Sequence, residues 1–139
     1  MRAALAILAA FALMPPAEAQ ARSLSLPSGA VAQPLPVVWD EDMSAIRLRF
    51  VVDQLQSARD AYFGDGQQPG TDMQWICDTH LQQLNESGTD LRDDGWTGIV
   101  VTLMDREVEF GTVDSNAFQL FEWFSIDAEG CTLDLGSHE

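Results

Sequence analysis

The chain reads as an α+β domain, an antiparallel sheet of about five strands with one main helix, about residues 71–85, packed on one face. Three stretches carry that reading. "SAIRLRFVV" (44–52) alternates, with Ile46, Leu48, Phe50 and Val52 on one side and Arg47 and Arg49 on the other, the pattern of a half-buried strand. "DMQWICDTHLQQL" (72–84) places Met73, Ile76, Cys77, His80, Leu81 and Leu84 on a single stripe at the helical period. "TGIVVTLM" (97–104) is apolar on both faces, as a covered central strand must be.

From the N-terminus, residues 1–21, "MRAALAILAAFALMPPAEAQA", have the three parts of a secretory signal peptide. Arg2 gives a positive start, an apolar run follows, and small residues at Ala17 and Ala19 form an A-x-A cleavage pattern. The run is too short to span a bilayer, which takes roughly 20 apolar residues. No stable membrane insertion is expected after cleavage, and the mature chain is expected in the periplasm or secreted. Residues 22–36, with three prolines, predict an extended N-terminal arm, and 37–139 a single domain.

A short strand is expected at Val37–Trp39 and a turn at 40–42. Residues 54–63 fit a short helix through Leu55, Ala58 and Tyr62, although the pattern also admits a strand. "FGDGQQPG" (63–70) is a loop. Thr71 with Gln74 matches a capping box, and Asp72 would then sit in the first helical turn, where the dipole favours an anion. "EVEF" (107–110) alternates, with Val108 and Phe110 predicted inward. Residues 114–117 suggest one helical turn. "FQLFEWFSI" (118–126) suits strand or helix, and is read as a strand because the turn "DAEG" and a last short strand, "CTLDL", follow it.

Twenty-two acids face seven basic side chains, every one an arginine, for a net charge of −15. That balance excludes nucleic acid, whose phosphates need a cationic face, and anionic membrane surfaces. Its ordinary consequence is solubility.

Cys77 and Cys131 remain after signal cleavage. An even count in an exported small domain predicts a disulfide, here joining the helix to the last strand. Zinc is the competing reading, since Cys77 and His80 share a helical face, and Cys131 with a carboxylate or His138 could complete a tetrahedron. Structural zinc sites draw on paired short-spaced motifs, and only one such pair is present. A Cys77 nucleophile would need exposure and a positive setting, whereas its position is apolar on an acidic protein. No nucleotide-binding or nucleophile-elbow motif occurs. "DED" and "DLRDD" lack the EF-hand ligand pattern. No catalytic residue, metal or cofactor is expected. Trp75 lies off the helix stripe and Trp96 follows Gly95, so these two form the candidate interaction surface.

The segments "DMQWICDTH", "VTLMDREVEFG" and "AFQLFEWFSIDAEGC" are similar to an uncharacterised family of small exported alphaproteobacterial proteins, over residues 37–135. The family's "SDR-x-VEFG" type of segment corresponds to "MDREVEFG" at 104–111, with Met104 in place of Ser and Glu107 in place of Pro. The resemblance implies a periplasmic location and a shared disulfide pair, and no activity. Three functional expectations stand together. One is a non-catalytic accessory module binding a protein partner such as another envelope protein. The second is a metal-binding or hydrolytic enzyme centred on His80 with Asp78 and Asp72. The third is a structural envelope protein without a small ligand.

Overall fold

A computed structural model describes residues 22–64, 68–88 and 90–136; the predicted signal peptide and His138 lie outside them. In chain order the elements are β1 (Leu24–Ser25), β2 (Val31–Pro34), β3 (Val38–Asp40), β4 (Ala45–Val52), α1 (Asp53–Ser57), α2 (Arg59–Phe63), α3 (Gln68–Glu86), β5 (Gly98–Met104), β6 (Gln119–Ile126) and β7 (Cys131–Leu133).

The alternation of β4 decides the layering. Ile46, Leu48, Phe50 and Val52 enter one hydrophobic core with Ile99, Val101 and Leu103 of β5 and Phe124 and Ile126 of β6. Met73, Ile76, Cys77 and Leu81 of α3 close that core from above, with Leu55 and Tyr62 of the short helices beside them. The predicted stripe is therefore the packed face of α3, while His80 and Leu84 sit half-buried at its border.

The sheet is mixed, not antiparallel as the sequence suggests. Strands run in the order β1-β2-β4-β5-β6-β7, with β3 also on β4, giving seven among the described residues rather than about five. β4 and β5 pair in parallel, Ala45 with Gly98 through Val51 with Met104; every other pairing is antiparallel. The cause is the helix itself. A strand that leaves through a helical crossover returns at the same end of the sheet, so its neighbour runs the same way.

Residues 22–36 contribute β1 and β2 and bury Leu26, Ala30 and Ala32 in the core. β2 and β3 lie end to end along one side of β4. The register shifts by one residue between Pro34↔Phe50 and Val38↔Arg47, so Leu35–Val37 forms a bulge. Pro34 and Pro36 have no N–H for a ladder, which places the break there.

Three local expectations need correction. α3 begins at Gln68, so Thr71 is inside it and is not its cap. Pro69 takes an early helical position, where its missing N–H is harmless. Residues 107–110 form no strand, and of the two side chains predicted inward Val108 is buried while Phe110 is 46% exposed. Residues 114–117 make a turn rather than a helical turn. The ambiguous stretch 54–63 is helical, split at Ala58 into α1 and α2. No helix among the described residues is long and apolar enough to cross a membrane.

Candidate interaction face and its supports

Because the crossover puts all three helices on one side, the second face of the sheet is left to other cover. Strand alternation and register arrange that face in rows. Arg47, Val100 and Trp123 form one, and Arg49, Thr102 and Phe121 the next. Val100, Met104 and Val108 are buried yet stand outside the helix-side core, which marks a second, smaller apolar layer.

Its cover is the loop 105–118, folded back over β4 and β5. Val108 packs inward and its carbonyl accepts a hydrogen bond from Nη2 of Arg49. The Phe110 ring lies near both guanidinium groups, 5.3 Å from that of Arg47 and 5.6 Å from that of Arg49. Arg47 also stands 5.6 Å from the Trp123 ring and pairs with Asp40 at 2.8 Å. Gly111 turns the chain at φ 86°, a conformation that a side chain disfavours. Between loop and sheet remains a cavity of about 210 Å³. Burial, with the like charge of Arg47, pulls the Arg49 pKa below the ordinary guanidinium value, and Glu107 opposes that shift.

Asp105 holds the base of this loop. Its N–H donates to the Phe118 carbonyl at 3.0 Å, and the Phe118 N–H donates to its Oδ1 at 2.9 Å. Its Oδ2 is 3.2 Å from both Arg59 and Arg106. Gln56 donates to its carbonyl, and the Arg59 guanidinium lies 4.1 Å from the Phe118 ring. The hydrogen bond from Arg106, then the Phe118 N–H and the two positive charges, hold the Asp105 carboxyl below its usual pKa against the effect of burial.

On the helix side, Cys77 and Cys131 form the disulfide, with Cα atoms 6.2 Å apart. Gln74 and Asp78, one turn apart on α3, bracket Cys131. Gln74 Nε2 donates to its carbonyl at 2.8 Å, and Asp78 Oδ1 accepts its N–H at 3.0 Å. A Cβ on Gly130 would stand 3.2 Å from Asp78 Oδ1, and its φ of 150° disfavours a side chain in any case. A groove of about 700 Å³ beside this staple is lined by Asp78, Glu86, Asp127 and Glu129 among others. Two of those acids have internal roles, Asp78 on Cys131 and Asp127 on the N–H groups of Glu129 and Gly130.

Asp72, expected in the first turn of the helix, stands inside α3, which starts at Gln68, and is fully buried. It accepts from the Ser28 N–H at 3.0 Å, the Ser28 hydroxyl at 2.5 Å and the Tyr62 hydroxyl at 2.7 Å. These bonds latch the turn between β1 and β2 to α2 and α3. Burial first, then Asp72, pushes the Tyr62 pKa well above the ordinary phenol range.

His80 is separated from the carboxylates expected as its partners. Its Nδ1 faces the Ile76 carbonyl at 3.0 Å, and its ring meets the edge of Phe50 at 5.9 Å. Asp72 and Asp78 point elsewhere, and Cys77 is oxidised. Among the described residues no group of three or more His, Cys, Asp or Glu side chains is arranged to hold a metal. The two candidate tryptophans are not brought together. Trp96 packs against Trp39 with the rings tilted and centroids 5.3 Å apart, while Trp75 stands on α3 at 36% exposure.

The residues missed by sequence reasoning are Arg49, Phe110 and Phe121. Arg47 and Arg49 are legible as the polar side of a strand. That a loop some 60 residues later lays Phe110 between them is a tertiary fact, and alternation cannot report it.

Together these features define a disulfide-stapled α+β domain with helices on one face of a mixed sheet and an arginine–aromatic surface on the other. The chain belongs to the family of unknown function DUF6497, whose model matches residues 7–135. Comparison with curated proteins gave no match, and comparison with solved structures gave none.

Proposed function

We infer that the protein is exported to the periplasm and serves there as a non-catalytic binding module, gripping a protein partner with the second face of its sheet. The observation carrying this reading is the composition of that face. Phe121 is 61% exposed and Phe110 46% on a chain of net charge −15; Phe110 lies near two guanidinium groups and Phe121 lines the same cavity. Aromatic and arginine side chains concentrate where binding energy is made, because both bury large flat surfaces and arginine adds a fixed fork of donors. Among the described residues, the edge of β6 is paired from Trp123 to Ile126, by β7 and the Asp134 N–H, and no strand pairs with it at Phe121. Export agrees with the signal-like N-terminus and with a disulfide, which persists in oxidising compartments.

The test is site-specific photo-cross-linking in the exporting cell, with benzoylphenylalanine at position 121 and, as a control, at position 93 in the exposed turn ahead of β5. A discrete adduct of the processed protein at 121, absent at 93, is expected. Equal labelling at both positions, or none at 121, would refute the assignment of this face. Cell fractionation and the mass of the mature chain check export and cleavage near residue 20 in the same material.

A further inference from the structure

Arg49 is half-buried, and its contacts are with neutral groups: the Val108 carbonyl, the Met104 sulfur at 3.8 Å and the Phe110 ring. No carboxylate among the described residues comes within 4 Å of it, although Arg47, Arg59 and Arg106 all have such partners. That is unexpected on a chain with 22 acids. Glu107 is close enough to favour the charged form, and Glu109 lines the cavity mouth, but neither makes a pair. Thr102 and Gln119 border the same cavity with polar side chains that no other described residue engages. Taking a guanidinium partly out of water without an opposing charge is unfavourable, so a ligand that supplies the charge gains more there than at a solvated arginine.

Resting on the reading of this face as a binding surface, we propose that the cavity beside Arg49 is a receptor for a single carboxylate side chain, presented between apolar residues on a peptide segment of the partner. Size argues for a side chain rather than a metabolite. The cavity holds about 210 Å³, below the roughly 300–1,000 Å³ of sites that enclose a whole small ligand. Charge argues for an acid. Arg49 lines the site without a carboxylate partner, whereas Arg47 beside it is already paired with Asp40, and Thr102 and Gln119 bring further hydrogen-bond donors. The walls argue for apolar neighbours, because Phe110 and Phe121 both line the cavity and both are exposed. The partner carboxylate would accept from the Arg49 guanidinium while its neighbours cover the two rings.

The experiment uses the exported, oxidised protein, labelled with ¹⁵N. It is titrated with the blocked peptide Ac-Ala-Leu-Glu-Leu-Ala-NH₂, with its Gln counterpart and with free glutarate. Saturable shifts are expected at Thr102, Phe110, Gly111 and Phe121 with the Glu peptide. The Gln peptide should bind at least about tenfold weaker, the usual effect of losing a charge-assisted bond. Arg49→Met should abolish the shifts. Because that variant also loses the bond to Val108, Thr102→Glu is the second probe: a resident acid opposite Arg49 should block the peptide and leave the fold intact. Equal affinity for the Glu and Gln peptides would overturn the carboxylate assignment. Glutarate binding as tightly as the Glu peptide would overturn the peptide-borne source, and an absence of saturable shifts would overturn the pocket. Repeating the position-121 cross-link in the Thr102→Glu background separates the two readings. An adduct that persists there means the face binds without this pocket; an adduct missing even without the substitution means the face itself was misassigned.

Discussion

Reducing the Cys77–Cys131 bond should destabilise the domain without changing its fold, by an amount that follows from loop length. The bond joins residues 54 apart in sequence. For a closed loop of about 55 residues, the chain-entropy relation gives roughly 14 cal/mol/K, or about 4 kcal/mol at 25 °C. Unfolding entropy near 2.1 cal/mol/K per residue, over roughly 115 residues, sums to about 0.24 kcal/mol/K, so the full effect would lower Tm by about 17 °C. Native strain and residual structure in the reduced unfolded chain usually trim such figures, which sets the expected range at about 2–4 kcal/mol and 8–17 °C. The assay is paired urea and thermal unfolding of oxidised and phosphine-reduced protein, with circular dichroism confirming an unchanged native spectrum. Reduction leaves both thiols in place, so no cavity contributes. The urea m-value should rise, because the uncrosslinked chain exposes more surface. A Tm change under about 4 °C with an unchanged m-value would refute the loop-closure reasoning. It would mean that the reduced unfolded chain keeps residues 77 and 131 close, so that the bond removes little freedom from it.

Three further outcomes are expected. Asp72→Asn puts an amide where three donors converge, and should cost about 2–4 kcal/mol in urea unfolding, with Ser28 and its turn losing amide-exchange protection. Asp105 has its pKa depressed in the folded state, so its contribution is complete above the ordinary carboxylate value near 4 and fades as pH falls through the depressed one. The Tm difference between the native chain and Asp105→Asn should therefore be constant from about pH 5 to 7 and narrow below about pH 4. Ser44 has φ 51°, and Ser44→Gly should relieve that strain and raise stability by about 0.5–1 kcal/mol, read as a Tm increase.

What the sequence made legible was periodic. The alternation of 44–52, the helical stripe of 73–84 and the two-sided apolar run of 97–104 became β4, the packed face of α3 and the central strand β5. The two cysteines, read through the compartment, gave their bond. The parallel pairing escaped because strand direction is a property of the connection, and a stripe of apolar residues does not say which strands it bridges. The Asp72 latch escaped for a related reason. Asp three residues before Trp75 looks like a first-turn acid, and only the arrival of Ser28 and Tyr62, 44 and 10 residues away, makes it a buried acceptor. The arginine–aromatic surface is the least legible part. Trp75 and Trp96 stand out by residue type, whereas a surface on which Arg47, Arg49 and Phe121 share a sheet face and Phe110 is folded onto it depends on tertiary placement.

The use of arginine on that face can itself be tested. The chain has no lysine, so arginine at 47 and 49 follows the general composition; yet the geometry needs the planar group. A guanidinium is weakly hydrated, lies against a ring and still donates along its edge, and Arg49 does both at once toward Phe110 and the Val108 carbonyl. An ammonium in its place would keep the charge but draw water under the loop. The double substitution Arg47→Lys and Arg49→Lys should therefore leave net charge and fold unchanged while loosening residues 108–112. Losing a stacked contact at each site, of about 0.5–1 kcal/mol apiece, gives roughly 1–2 kcal/mol against local opening, or about five- to thirtyfold faster amide exchange in that segment. Exchange in β5 and α3 should stay as it was. If residues 108–112 exchange at the original rate, the loop is held by Asp105 at its base and by Val108 in its pocket. The arginines would then contribute nothing measurable to holding the loop.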